Sequence, residues 1–369
     1  MIIPTEDILA PFADTMRRTP QPVQWHGEGD VYTHTRMVCD ALCSLREYTE
    51  LPEYRRNILL CAAMLHDIGK TVTTGEILGS VEAPNHAPAG SRIAREYLWK
   101  RFGMCGSPEA MRFREAVALL IRYHSFPPHA IDADDGARRL HLIASNAILV
   151  PHFSIRMLCI LARADMLGRI CADKDDMLDR IALCEEMAKE EECFDAAYPF
   201  PDGYTRHAYL SGRDVWKGQS LHDDTRCTVY LMSGLPGTGK DTWIERNLPD
   251  IPMISLDDIR RANRISPDAN QGRVANIAKD MARAYLRRHT PFVWNATNIT
   301  QTMRRQLVDL FETYGARVHI VYLETGRETQ IARNASRSDT VPQHVVDSML
   351  GKLALPEAFE ASDVKWLAV

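Results

Sequence analysis

Residues 228–242 read TVYLMSGLPGTGKDT. The run opens as a short β-rich stretch, Thr228–Ser233, turns through glycines, and enters a helical pattern at about Asp241. Gly234, Gly237 and Gly239 let backbone N–H groups converge on phosphate oxygens. The start of the helix adds a positive dipole end, and Lys240 would reach the β- and γ-phosphates. Strand, glycine turn and helix in this order are the context a phosphate-binding loop needs. Gly234, Leu235, Pro236, Gly237, Thr238, Gly239, Lys240, Asp241 and Thr242 are therefore the candidate nucleotide-binding residues, for ATP or another NTP with Mg²⁺. The rival reading is a glycine-rich turn with an incidental lysine. One position departs from the usual pattern: the hydroxyl residue that follows the lysine as a magnesium ligand is Asp241 here, with Thr242 next. A carboxylate can serve Mg²⁺ directly or through water.

Outward from this loop, the second half of the chain alternates. Residues 252–256, 292–295 and 317–323 look like strands, with helical patterns over 272–288 and 301–314. That alternation predicts a parallel sheet with helices on both faces. The first half reads helical instead, with apolar stripes over 54–66, 110–124 and 154–167 and an acidic amphipathic helix over 176–194. Residues 196–225 are punctuated by Pro, Gly and Asp and hold no period, which suggests a linker or docking segment. The fold expectation is multidomain: an all-α domain over 1–195, the linker over 196–225, and an α/β P-loop domain over 226–369.

The composition agrees with two globular domains. The chain has 369 residues, 45% of them hydrophobic and 25% charged, which excludes a disordered chain, a collagen-like fibre and a disulfide-stapled miniprotein. The formal net charge of −5 gives no sign of a wholesale nucleic-acid or membrane binder. The charge is uneven, however. Residues 1–225 carry 25 Lys and Arg against 33 Asp and Glu, and residues 226–369 carry 19 against 16. Nine cysteines, an odd number with no CxxC pair, point to reduced core residues of a cytoplasmic protein. The opening residues lack the pattern of a secretory leader, and no apolar run approaches a membrane span.

Two further groups carry chemistry in the second half. Asp257 stands just past a strand end, where an open α/β sheet presents its ligand crevice, and could accept a hydroxyl proton. Arg260, three residues on, suits an anionic phosphate on the acceptor. An ordinary helix cap at Asp257 or Asp258 is an equal alternative. Arg333 and Arg337, at i and i+4, share a helix face and could close over a triphosphate; a solvated basic face is the plainer reading. The order GxPGxGKxTW, DDxR, a strand ending in Thr297-Asn298, and RNxxR before Val341-Pro342 resembles the 5′-hydroxyl polynucleotide kinase family over most of 226–350. The resemblance implies Asp257 as general base, Arg260 on the phosphate beside the acceptor hydroxyl, Thr297 and Asn298 lining the acceptor site, and Arg333 and Arg337 as lid arginines. The family's strand before Thr-Asn tends to carry an Asp, whereas this chain has Asn295-Ala296. The expectation is that Asp241 compensates.

In the helical half, His66-Asp67 ends a strong apolar helix in LHDIGK. Adjacent His and Asp can project donors into one pocket. His34, His86, His124 and Asp165 are further candidates, with His129 a rival to His124, His26 a weaker candidate, and Lys70 placed for a substrate phosphate or for solvent. Donors of this kind without cysteine suit Mn, Co, Ni, Fe or Zn at one or two catalytic divalent positions, and two metals sharing Asp67 would activate a water and clamp a phosphate. The order H, HD, H, H, D over about 25–170 resembles the HD phosphohydrolase superfamily. It implies His34, His66, Asp67 and Asp165 as the first metal set, with His86 and His124 completing a second.

The two halves in this order resemble bacterial bifunctional end-healing enzymes. That resemblance implies an RNA end, or a DNA end, as substrate: the HD part opens 2′,3′-cyclic phosphates and removes the terminal phosphate, and the kinase part phosphorylates a 5′-hydroxyl, leaving ends a nucleic-acid ligase can join. Arg260, Arg261, Arg264, Arg273, Arg283, Arg287 and Arg288 supply positive charge to track a strand. One competing reading is an HD nucleotidase fused to a nucleoside or small-molecule kinase. Another is a nucleotide-sensing regulator driven by ATP. The oligomeric state is left open.

Overall fold

The computed structural model describes residues 8–77, 79–266, 271–337 and 339–369. The first residues, on which the expectation about a leader partly rests, lie outside this set. The chain forms two compact units: residues 1–104 with 109–198, and residues 105–108 with 199–369.

The first unit is built on helices α1 (Val31–Ser44), α2 (Glu53–Leu65), α3 (His86–Phe102), α4 (Pro108–Tyr123), α5 (Ile155–Leu167) and α6 (Lys174–Glu190). α1 starts on Asp30, whose carboxylate accepts from the Thr33 N–H at 2.9 Å. α5 starts on Ser154 in the same manner, at 3.3 Å from the Met157 N–H. α5 is apolar nearly all round, with Met157, Leu158, Ile160, Leu161 and Ala164 buried, and therefore lies at the centre of its unit. Its neighbours bury Val31, Val38 and Leu42 from α1 and Ile58, Leu59, Ala62 and Leu65 from α2. A small antiparallel hairpin, β1 (Gly75–Ile77) with β2 (Ser80–Glu82), stands in this otherwise helical half. Its strands are short and largely exposed, so they show no alternating burial and leave no sequence signal.

The second unit begins with helix α7 (Gly203–Leu210), inside the stretch read as linker. Asp202 caps α7 by accepting from the Thr205 N–H at 2.7 Å. The Pro and Gly residues there punctuate a capped helix of eight residues rather than a structureless segment. There follow β3 (Cys227–Ser233), α8 (Lys240–Asn247), β4 (Met253–Ser255), α9 (Leu256–Ala262), α10 (Gln271–Arg287), β5 (Phe292–Asn295), α11 (Gln301–Thr313), β6 (Ala316–Glu324), α12 (Arg327–Ala335), α13 (Gln343–Lys352) and β7 (Asp363–Ala368). Five strands make one parallel sheet in the order β4-β5-β3-β6-β7. β3 is central, so its carboxyl end and that of β5 open into the same crevice. β7, an edge strand whose side chains are mostly only half-buried, is absent from the sequence reading. α9 begins at Leu256 on the Ser255 cap, so Asp257 and Asp258 lie in its first turn, and neither is the cap.

Candidate functional site

Four histidines of the first unit, His34, His66, His86 and His124, converge on Asp67. His34 comes from α1, His66 follows the last turn of α2, His86 opens α3, His124 follows α4, and Asp165 sits on α5. His34, His66, Asp67, His124 and Asp165 are all 2% exposed or less. Gly69 makes the convergence possible: a Cβ there would lie 2.0 Å from the His86 carbonyl oxygen and 2.5 Å from the Gly90 nitrogen. The turn after His66-Asp67 thus touches the start of α3 through bare backbone.

Each ring is oriented from behind. Nδ1 of His66 lies 2.8 Å from the Ala63 carbonyl, Nδ1 of His86 2.9 Å from Ala83, and Nδ1 of His124 2.7 Å from Ile121. A carbonyl has no proton to give, so each Nδ1 carries the hydrogen and each Nε2 keeps a lone pair. The fourth ring is held by a carboxylate: Glu28 Oε1 lies 2.8 Å from Nδ1 of His34 and 2.8 Å from Nδ1 of His26. Burial works to raise the Glu28 carboxyl, but those two rings overcome it and hold it well below the usual carboxylate range.

The Nε2 atoms face inward in two pairs. His34 and His66 approach to 3.3 Å, and His86 and His124 to 3.4 Å. Asp67 stands between the pairs. Its Oδ2 is 3.3 Å from His66 Nε2 and 3.6 Å from His34 Nε2, while its Oδ1 is 3.6 Å from His86 Nε2 and 3.9 Å from His124 Nε2. Asp165 Oδ1 joins the first pair, 3.0 Å from His34 Nε2. Neither buried oxygen of Asp67 has a hydrogen-bond donor in satisfactory geometry. Buried lone pairs facing one another are costly alone, and with the Asp67 carboxylate between them they fit divalent cations: His34, His66 and Asp67 as one donor set, and Asp67, His86 and His124 as the other. His124 belongs to this cluster, while His129 is exposed on the turn Pro127–His129 at the rim of the pocket. Burial lowers His86 and takes His124 down to about 3, which favours the neutral imidazole that binds metal.

A cavity of about 370 Å³ opens over this cluster. Lys70 is 7% exposed in its wall, with Nζ 2.8 Å from Asp67 Oδ2, donating to Gln21 Oε1 at 2.6 Å and 3.5 Å from His26 Nε2. Arg169 donates to both oxygens of Asp165, at 3.1 and 2.6 Å. Glu28, Gln21 and Arg169 are the residues the sequence reading missed. Arg169 had a usable signal, since it lies four residues after Asp165, just past the end of α5. Glu28 and Gln21 had none beyond their closeness to His26.

The loop 234–242 leaves the carboxyl end of β3. Gly234 and Gly237 have φ of 143° and 79°, and both are closely approached: a Cβ would lie 2.5 Å from the Leu323 carbonyl oxygen at Gly234 and 2.6 Å from that of Gln330 at Gly237. Gln330 donates to the Pro236 carbonyl at 2.7 Å, and Thr238 to that of Leu235 at 2.9 Å. Gly234 N–H donates to the Thr297 carbonyl at 2.9 Å. Lys240 is 9% exposed and donates to the carbonyls of Gly234 and Leu235, both at 2.9 Å. Burial lowers its pKa to about 8. Asp241 and Thr242 are exposed in the first turn of α8, and Asp241 Oδ1 accepts from the Asn295 amide at 2.6 Å.

Asp257 is half-exposed between two guanidinium groups, 2.5 Å from Arg260 and 3.0 Å from Arg337. Arg333 lies on the far side of the loop, its Nη1 3.2 Å from where a Cβ on Gly239 would stand. Asn298 is 2% exposed and donates to the Met232 carbonyl at 2.7 Å. Its amide serves the backbone of β3, and of the pair Thr297-Asn298 only Thr297 is partly accessible. Arg304, fully buried, donates to the carbonyls of Asn298 and Ala354 and pairs with both oxygens of Glu360 at 2.7 and 2.8 Å.

Comparison with known proteins follows the same division. The HD domain family matches residues 31–165, and the AAA domain family matches residues 229–356. The chain thus carries an HD domain followed by a P-loop, kinase-like α/β domain. It is 30% identical over 128 residues to a multifunctional CCA protein of Halorhodospira halophila (strain DSM 244 / SL1), which covers 35% of this chain and 27% of that protein. It is also 30% identical over 118 residues to a multifunctional CCA protein of Pasteurella multocida (strain Pm70), covering 32% and 26%. The chain spans about a quarter of the length of these curated relatives. Among the described residues, no helix is long and apolar enough to cross a membrane.

Proposed function

We propose that the chain is a bifunctional nucleic-acid end-healing enzyme. The HD domain hydrolyses 2′,3′-cyclic phosphate and terminal 2′- or 3′-phosphate ends of RNA, and the P-loop domain transfers the γ-phosphate of ATP or another NTP to a 5′-hydroxyl. The observation that carries this reading is one chain holding two charged centres of opposite character. One is a buried carboxylate, Asp67, standing between two pairs of inward-facing imidazoles. The other is a glycine loop with a buried lysine beside a half-exposed carboxylate, Asp257.

Divalent cations held by His34, His66, Asp67 and Asp165, and by His86 and His124 with Asp67, would supply an activated water and a positive clamp on the phosphate oxygens. The chain's own groups do the rest. Lys70 presents an ammonium to the non-reacting oxygens of the end phosphate. Arg169 fixes Asp165, and Glu28 fixes His34. In the second centre the loop N–H groups and Lys240 hold the triphosphate. Asp257 accepts the proton of the 5′-hydroxyl. Arg260 and Arg337, which flank Asp257, separate from it in role: Arg260 binds the acceptor's neighbouring phosphate, and Arg337 closes with Arg333 over the donor. Lys240 exchanges its bonds to the Gly234 and Leu235 carbonyls for the β-phosphate.

The decisive assay uses end-labelled RNA. With a divalent transition metal, a 2′,3′-cyclic-phosphate end becomes a diol. With ATP and Mg²⁺, a 5′-hydroxyl oligonucleotide gains phosphate in preference to free nucleosides. Preference for nucleosides in the second assay would instead support a nucleotidase joined to a small-molecule kinase.

A further inference from the structure

Phosphate-binding loops commonly hold Mg²⁺ through a hydroxyl after the lysine, together with an aspartate from a neighbouring strand. In this chain the first position is Asp241 and the carboxyl end of the neighbouring strand β5 is Asn295. The two side chains meet: Asn295 Nδ2 donates to Asp241 Oδ1 at 2.6 Å. Asn295 is 7% exposed at the end of β5, hydrogen-bonded between β3 and β4, whereas Asp241 stands in solvent at the start of α8. The negative charge of the site stands on the helix, and the strand position holds a neutral amide.

The arrangement has a physical logic. A second carboxylate at 295 would face Asp241 across a hydrogen-bond distance and repel it. An amide at 295 instead orients the Asp241 carboxylate, and the first turn of α8 favours its charge. We propose that Asp241 is the protein's magnesium ligand in the nucleotide complex and that Asn295 is its positioning residue. This rests on the reading of residues 234–242 as a nucleotide site. It predicts an unusual energetic signature. A carboxylate placed next to Lys240 opposes the phosphates when no cation is present, so nucleotide affinity depends steeply on Mg²⁺.

The test is the coupling between ATP and Mg²⁺ in the full chain, measured by calorimetric ATP titration without Mg²⁺ and at saturating Mg²⁺. Electron paramagnetic resonance of Mn²⁺ on the protein–ATP complex reports the ligand directly. Asp241→Asn should tighten metal-free ATP binding and cut the coupling about tenfold, within the usual range for linked sites. The double exchange Asp241→Ser with Asn295→Asp should restore the coupling, with thermal melts checking that each variant folds. Wild-type coupling in Asp241→Asn would overturn the proposal, as would a folded exchange variant that recovers nothing. Failure of the wild type to bind ATP at all would overturn the nucleotide reading itself, a result distinct from either.

Discussion

The Asp67 centre gathers side chains from separate helices between His34 and Asp165 and buries nearly all of them, whereas the loop 234–242 is one contiguous stretch in which Lys240 is buried and Asp241 reaches solvent. In the first centre the ligands are fixed before any cation arrives: three rings by backbone carbonyls and one by Glu28. In the second, backbone does the holding and the carboxylates pair with neighbouring donors, Asp257 with Arg260 and Arg337, and Asp241 with Asn295. A site of buried, facing lone pairs is organised for a permanent cation. A site of exposed, internally paired charges is organised for a ligand that comes and goes.

Separate substitutions test whether the two centres work independently. Asp67→Ala removes the carboxylate common to both donor sets. Hydrolysis of a cyclic-phosphate end should fall by about 10³-fold or more, since the metal supplies the nucleophile, and metal analysis should show the ions gone while kinase activity stays. Lys240→Ala should lower kinase activity by about 10²–10³-fold, the usual loss for one preorganised charge on a transferring group, with hydrolysis intact. Loss of both activities in either variant would break the contrast.

The next effect is on stability and concerns only the second unit. Arg304 is fully buried, and its partner Glu360 is buried too, with its pKa raised by burial. Arg304 also ties the Asn298 and Ala354 carbonyls together, fixing the turn that receives the Gly234 N–H through Thr297. Arg304→Ala leaves Glu360 buried without its partner and should cost about 3–5 kcal/mol. Calorimetry should show the second unit's transition moving down while that of the HD domain stays in place.

The same contrast explains what the sequence disclosed. The loop was legible as a glycine turn between strand and helix because its residues are neighbours in sequence, and strand, glycines and helix are each local signals. The histidines and aspartates of the HD cluster were legible only as residue types in an order, since no spacing rule says that His34 and His66 approach to 3.3 Å. What sits behind the ligands was not legible. Glu28 and Gln21 reach the cluster through tertiary packing, and Gly69 is needed because a backbone 17 residues away presses on it. In the second unit, the resemblance implies Asn298 at the acceptor site, and packing alone shows that it is buried with its amide on the Met232 carbonyl of β3. Likewise α7 escaped notice because an eight-residue helix has too few turns to establish a period.

Glu28 offers a smaller and sharper measurement. Its Oε1 serves the Nδ1 atoms of both His26 and His34, and its other oxygen, Oε2, accepts from the Ile170 N–H at 2.9 Å. Glu28→Gln replaces one acceptor oxygen with a donor and weakens the hold on His34. Residues that orient a metal-bound histidine typically change metal affinity by about 10–100-fold. Competition with a chelator should show that loss in the HD centre and leave ATP affinity unchanged. Unchanged metal retention would mean that burial alone, without the Glu28 bond, orients the His34 ring.

The smallest expected effect separates His124 from its neighbour in sequence. His124 is 2% exposed, its Nδ1 is held by Ile121, and its Nε2 lies 3.4 Å from that of His86 and 3.9 Å from Asp67 Oδ1. His129 is exposed on the turn that forms part of the cavity rim, five residues later. His124→Ala should remove the metal bound with His86, whereas His129→Ala should leave metal content unchanged and alter hydrolysis less than about twofold, as a surface substitution away from the ligands does. Loss of metal in His129→Ala would mean that the turn Pro127–His129 folds inward to complete the site, and the burial contrast between the two centres would then no longer hold at its edge.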